Sequence, residues 1–226
     1  MLYTIQAFSA KNSLAMRVIC GSNQLSLLSM AISASQEAAL YAGLTRYVSL
    51  TDAAWKDIGC RWHACHYRKD ALITSPPVIE NHFYFVLSGV QRLYYLSAEG
   101  SEVVLGFTFQ HNFSGVYDSF IQQKPAQCYL QALTDSELLA IGFTDMNELF
   151  DRHPCMERWG RIFVQSILFG RVQREIELTT RTAEERYRDF MHRSPAPLRQ
   201  IPQKHLASYL NMTPETFSRL RADRIS

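Results

Sequence analysis

The chain has 226 residues, 47% hydrophobic and 19% charged, with 23 Lys and Arg against 21 Asp and Glu. Such a composition can bury a core, which excludes a disordered or fibrous chain, and about 100–200 residues per domain allows one large or two small domains. No apolar run reaches the roughly 18–20 residues of a membrane helix, so no membrane partner is expected.

The charge is unevenly placed. Residues 181–226 carry nine basic and five acidic side chains, a net +4, which leaves −2 on residues 1–180. A basic end on a mildly acidic body fits an anionic partner. The five cysteines (Cys20, Cys60, Cys65, Cys128, Cys155) are odd in number and scattered. That is no secreted disulfide framework, and a cytoplasmic location is expected.

Met1–Ser29 shows no clear helical or strand period. A loose extension, an upstream start site and a signal peptide all stay open, and residues 1–29 are set aside as an extension. Ser35–Tyr47 has helical spacing at Ala38, Leu40, Tyr41, Leu44 and Tyr47. A second helix starts at Thr51 or Asp52, each a good N-cap, and runs to about Ile58.

From Cys60 to Phe143 the pattern changes to short strands. His82–Leu87 is rich in aromatic and β-branched residues and ends at the turn pair Ser88-Gly89. Val90–Leu96, Glu102–Phe109, Gln127–Ala132 and Glu137–Phe143 follow at the spacing of an all-β sandwich or barrel. No helical patterns alternate with them, which argues against a parallel α/β sheet. Asp145–Phe150 reads as a short helical turn, and Pro154 fits the first position of a helix reaching about Thr180.

That long helix is apolar on more than one face, so it must be covered on more than one. One face suits the barrel. The other suits the same helix of a second subunit, with Trp159, Ile162, Phe163, Ser166 and Phe169 as candidate dimer contacts. A helix buried wholly within one chain is the alternative. Thr182–Met191 is a further short helix, and Ser194-Pro195-Ala196-Pro197 is a connector.

Ile201–Ser226 reads as helix, tight turn, helix. Leu206, Ala207 and Leu210 form the inner face of the first helix, Asn211 sits at the turn, and Thr213-Pro214 supply N-cap and first position of the second. Counting Gln203 as the first position, Ala is fifth and Asn ninth. Leu206, Leu210, Met212, Phe217 and Leu220 stand at the fourth, eighth, tenth, fifteenth and eighteenth. This is the spacing of DNA-binding helix-turn-helix units, and an ordinary helical hairpin is the bland alternative.

The groove-facing candidates are Thr213, Pro214, Glu215, Thr216, Ser218 and Arg219. Arg219 can reach guanine O6 and N7, and Glu215 can accept from cytosine N4. Gln203, Lys204, Thr216, Ser218 and Arg221 suit phosphates, which position without specifying. Glu215 and Arg219 could also form an i,i+4 ion pair worth about 0.2–0.5 kcal/mol.

At this point the chain resembles the Crp/Fnr family of transcription regulators. The resemblance runs from about Thr51 onward. It rests on HFYFVLSGVQRLYYL, on EGSEVVLGF leading to Phe113-Ser114-Gly115, on the long helix 154–180 and on TPETFSRLR. It implies an α+β chain: an N-terminal antiparallel β-barrel or jelly roll resembling cyclic-nucleotide-binding domains, a long dimerisation helix and a C-terminal helix-turn-helix. The implied division is 30–150 for the effector-like barrel, 151–180 for the dimer helix and 181–226 for DNA binding. The implied partners are operator DNA, a second copy of the chain and, for an activator, RNA polymerase.

Two departures bear on function. Cyclic-AMP-binding members carry a Glu beside the glycine of the Phe-x-Gly turn and an Arg-Ser pair about ten residues on. Alignment on Phe113, Gly115, Phe120 and Ala132 places Val116 at the Glu position and Ala126 and Gln127 at the Arg-Ser positions. Phe113, Gly115, Val116, Ala126 and Gln127 therefore mark an effector pocket, but without the charge that holds a cyclic phosphate. No cofactor is expected, and cyclic AMP is not expected to bind in the family's manner. Secondly, only Ala222–Ser226 follows the recognition helix, so no β wing is expected.

Cys60, His63, Cys65 and His66 group four potential metal ligands within seven residues. As a strand, this segment puts His63 and Cys65 on one face and His66 on the other, and ordinary barrel side chains are the preferred reading. There is no His-x-His of a cupin-like metal barrel, no phosphate loop, no nucleophile elbow and no paired catalytic carboxylates. The chain is not expected to be an enzyme. The competing function class is a ligand-binding barrel whose helical end makes protein contacts instead of binding DNA.

Overall fold

The computed structural model describes residues 32–193 and 200–223. Met1–Ser29, the Ser194–Pro197 connector and the segment after Asp223, where a wing would begin, lie outside them. Helix α1 (Ala34–Thr45) opens on a capping box in which Ser33 and Gln36 satisfy each other's backbone N–H groups. Helix α2 (Asp52–Gly59) starts at Thr51, whose hydroxyl accepts from the Ala54 N–H at 3.2 Å.

Eight strands follow: β1 (His63–Tyr67), β2 (Leu72–Thr74), β3 (His82–Ser88), β4 (Gln91–Leu96), β5 (Glu102–Thr108), β6 (Phe113–Ser114), β7 (Tyr129–Ala132) and β8 (Ser136–Gly142). They form two four-stranded antiparallel sheets, β1-β8-β3-β6 and β2-β7-β4-β5. The arrangement is jelly-roll-like. The expected barrel is corrected on one point: the two sheets face each other and do not close into a single ring.

The short helix α3 (Tyr117–Gln122) sits between β6 and β7. Helices α4 (Phe143–Arg152), α5 (Pro154–Thr180) and α6 (Ala183–Arg193) then lead to α7 (Gln203–Tyr209) and α8 (Pro214–Asp223). Pro154 occupies the first turn of α5, where its missing N–H costs nothing. Among the described residues, no helix is long and apolar enough to cross a membrane.

The core has three parts. Tyr84, Val86, Val116, Ala126, Leu130, Leu138 and Ala140 pack between the sheets. Phe83, Phe85 and Leu87, the alternate residues of β3, point the other way and pack with α1, α2, α4 and α5. Strand β3 is thus buried on both faces, which is why it reads as an unbroken apolar run. The third part joins Val90 and Leu133 to Tyr187, Ile201, Leu206, Ala207, Leu210 and Phe217.

Helix α5 lays Trp159 and Phe163 onto this fold. Their rings stack at 5.2 Å and meet Phe113 edge-on at 4.9 and 5.7 Å. Trp159, Ile162 and Phe163 therefore face their own chain and are not on the free face expected to carry dimer contacts. Their position follows from the aromatic cluster that Phe83 and Phe113 offer them. Ser166 and Phe169 are exposed, and Phe169 shares the free face with Val164, Leu168, Val172 and Ile176.

Candidate nucleic-acid interface and inter-sheet pocket

The α7–α8 turn is built from backbone constraints. Asn211 has φ 51°, the left-handed region that asparagine tolerates better than most residues. Met212 N–H donates to the Ala207 carbonyl at 3.1 Å and Asn211 N–H to the Ser208 carbonyl at 3.0 Å. These two bonds close a Schellman motif and satisfy carbonyls that the end of α7 would otherwise leave bare. The Thr213 hydroxyl then accepts from the Thr216 N–H at 3.2 Å, and Pro214 begins α8.

Ala207 is fully buried where the two helices meet, and Tyr187 of α6 packs edge-on against Phe217 at 5.3 Å. Three helices thereby share one small core. The apolar positions picked out by spacing are the ones that fill it: Leu206, Leu210 and Phe217 are buried, with Met212 and Leu220 packed against them.

The opposite face is free. Gln203, Lys204, Thr213, Pro214, Glu215, Ser218, Arg219 and Arg221 are exposed, and Thr216 is half-buried with its hydroxyl on Thr213. Arg219 forms no ion pair with Glu215. The Glu215 carboxyl is turned to its own backbone N–H and the Thr213 hydroxyl, which hold it below the usual carboxylate range. Arg219 is left to extend from the surface.

The effector-pocket residues part company. Val116 and Ala126 are buried between the sheets, Gly115 adjoins them at φ 151°, and Gln127 is exposed. Phe113 belongs to the aromatic cluster under α5 instead. Sequence reasoning missed Glu80. Its carboxylate is buried, accepts from the Thr74 hydroxyl and from the His82 N–H at 3.0 Å, and lies 3.4 Å from the Tyr84 hydroxyl. Burial pushes its pKa up. The Glu80 N–H donates to Ser119 Oγ at 3.0 Å, and Gln123 Nε2 donates to the Glu80 carbonyl at 3.3 Å, so the same residue ties α3 down. No local pattern announces it.

Ser114 pairs with Tyr84 across the strands, and its buried hydroxyl has no hydrogen-bond partner. Among the described residues the buried basic side chains are Arg92 and His205, and these engage each other on β4 and α7. The buried polar groups described between the sheets are thus an acid and hydroxyls. Strand β1 places His63 and Cys65 two residues apart, and no group of three metal-ligating side chains converges among the described residues.

Comparison with known proteins places part of this arrangement. Residues 64–153 match the family model of the cyclic nucleotide-binding domain. The match runs from β1 to the end of α4 and takes in both sheets. Among solved structures, FixK2 from Bradyrhizobium japonicum aligns with TM-score 0.63 at 19% identity, covering 72% of this chain and 83% of that one. The c-di-GMP responsive global regulator CLP of Xanthomonas campestris aligns with TM-score 0.63 at 18% identity, covering 76% and 91%. The catabolite activator protein of Thermus thermophilus aligns with TM-score 0.52 at 22% identity, covering 80% and 85%. At these identities the likeness is one of fold. No curated protein matches the sequence.

Proposed function

We propose that the chain is a sequence-specific DNA-binding transcription regulator of the Crp/Fnr type. On this reading it works as a homodimer joined through α5. The observation that carries the reading is the α7–α8 unit, whose Schellman turn buries Leu206, Ala207, Leu210 and Phe217 while leaving the predicted DNA-contacting face open. The exposed apolar stripe on α5 supports the dimer, and twofold symmetry then calls for half-sites about one helical turn apart. RNA polymerase enters as a partner only for an activator.

Arg219→Ala tests the groove reading. Selection from a randomised duplex pool at fixed moderate salt gives the operator. The variant is expected to lose about 1–3 kcal/mol of affinity, concentrated at one base pair per half-site, with fold and dimer unchanged. Uniform weakening across all sequences would make Arg219 a phosphate contact. Failure of the wild type to enrich any sequence would sink the DNA-binding reading.

The inter-sheet space is proposed to reject cyclic nucleotides in their usual pose. A ligand at a hundred times its Kd stabilises a protein by about 2.7 kcal/mol. Millimolar cyclic AMP or cyclic GMP is therefore expected to leave the melting temperature where it is. A saturable upward shift with either nucleotide would overturn this.

A further inference from the structure

Strand β5 is the outer strand of its sheet, so one side of its backbone has no strand neighbour. Such an edge needs a cover. Helix α7 supplies it: Ser208 Oγ donates to the Glu102 carbonyl at 2.9 Å and accepts from the Val104 N–H at 3.0 Å. One hydroxyl thus does for β5 what a neighbouring strand would do.

Beside it, Arg92 of β4 is only 4% exposed. Its Nη1 donates to Glu102 Oε2 at 2.6 Å and to His205 Nδ1 at 2.8 Å. Its Nη2 donates to Glu102 Oε1 at 3.0 Å, and Nε to Gln131 Oε1 at 2.8 Å. The guanidinium lies 4.0 Å from the Tyr94 ring centre. An arginine can only donate, so His205 must accept at Nδ1 and carries its proton on Nε2. The imidazole is neutral, and burial, with the charges of Arg92 and Lys204, pushes its pKa down to about 4.

Further out, the Arg174 guanidinium of α5 sits 3.8 Å from the Tyr209 ring centre, and that ring packs on Phe107 of β5 and Phe190 of α6, both at 5.3 Å. The helix-turn-helix is therefore fastened to the two-sheet domain of its own chain by an apolar seal and by directional bonds. The fastening consumes His205, Ser208 and Tyr209 and leaves every exposed DNA-contact candidate free.

We propose that the β4–β5 hairpin clamps the helix-turn-helix in cis, through Arg92 to His205 and through the β5 edge to Ser208, and so fixes where the recognition helix stands relative to α5. The clamp positions; it does not read bases. In a dimer it sets the separation of the two recognition helices, so it governs binding to a two-half-site operator and not to a single half-site. This rests on the DNA-binding reading above.

The test uses the full chain with His205→Lys, which sets a second cation against Arg92, and His205→Gln, whose amide oxygen can still accept from Arg92. Ser208→Ala trims one hydroxyl and carries the same test should His205→Lys fail to fold. Two readouts are taken: amide hydrogen exchange at Val104, and affinity for palindromic and single-half-site duplexes. His205→Lys should speed Val104 exchange at least tenfold and weaken palindrome binding at least tenfold, with half-site binding within about twofold of wild type. His205→Gln should stay near wild type in both. Unchanged Val104 exchange in His205→Lys would remove the clamp. Faster exchange with unchanged or tighter palindrome binding would remove its positioning role. If the wild type selects no DNA sequence, the DNA-binding reading fails and the positioning role falls with it. The exchange arm needs no DNA, so it still shows whether the clamp exists.

Discussion

Leu168→Glu combined with Phe169→Glu is expected to convert the protein to a monomer and to cost about 100-fold or more in operator affinity. Helix α5 spans 27 residues, and its free face carries Val164, Leu168, Phe169, Val172 and Ile176, with Phe169 70% exposed. A contiguous apolar strip of this kind on a water-facing helix calls for a cover. Two copies of α5 meeting about a twofold axis cover it with itself, residue for residue. The double substitution then places four carboxylates in the seam. Two tethered half-site readers gain about 10²–10⁴ over one, and that gain disappears when the tether is cut. Because both side chains are exposed within the single chain, the two-sheet domain should keep its own stability. Sedimentation equilibrium gives the mass, and titration of the selected palindrome gives the affinity. A variant that stays dimeric would move the interface off α5.

Gly89→Ala is expected to destabilise the two-sheet domain by about 3 kcal/mol, and Gly100→Ala by about 1 kcal/mol. Both glycines have positive φ, +91° and +80°. They differ in what surrounds them. A methyl group at Gly89 would lie 2.4 Å from Ser136 Oγ, 2.6 Å from the Asp135 carbonyl oxygen and 2.8 Å from Ser136 Cα. Two of those atoms are backbone at the start of β8 and cannot swing aside. At Gly100, on the β4–β5 turn, no atom lies within 4 Å, so only the left-handed strain is felt. Urea midpoints of the two variants measure the difference. Equal midpoints would mean that the β3–β4 turn moves freely against β8.

Much of the frame is legible in the sequence, and the reasons are local. Pro154 marks the start of α5 because proline is harmless at a first helical position and harmful further in. Thr51 marks α2 because its hydroxyl replaces a missing carbonyl partner. Strands β3, β4 and β5 follow from their β-branched and aromatic residues, and β7 and β8 from their spacing along the chain. Helix α3 escapes because it has six residues and Val116, its N-cap, offers no side-chain bond. Strands β2 and β6 are too short to show a period. Whether two sheets close into a ring depends on edge pairing, which alternation along a strand does not encode.

The site divides in the same way. The α7–α8 unit is local: its apolar spacing, Asn211 and Thr213-Pro214 all lie within about 20 residues. Trp159 and Phe163 read from the sequence as dimer contacts, because a helix apolar on several faces does not declare which face meets its own chain. The Phe83–Phe113 cluster decides that from far away in sequence. Glu80 and the Arg92–His205 contact have no local sign at all, since the two partners of the latter are 113 residues apart. In a linear reading both look like ordinary surface charges.

Strand β3 has one more consequence. Tyr84 and Val86 line the space between the sheets, while Phe83 and Phe85, bonded to them in the same backbone, bear on α5 and α1. The wall between the inter-sheet core and the seat of the long helix is therefore a single strand thick at this point. A tilt of that strand at Tyr84 would carry Phe83, 5.4 Å from Phe163 and 6.2 Å from Trp159, with it. The inter-sheet core and the helix lean on the same strand, as two rooms lean on one party wall.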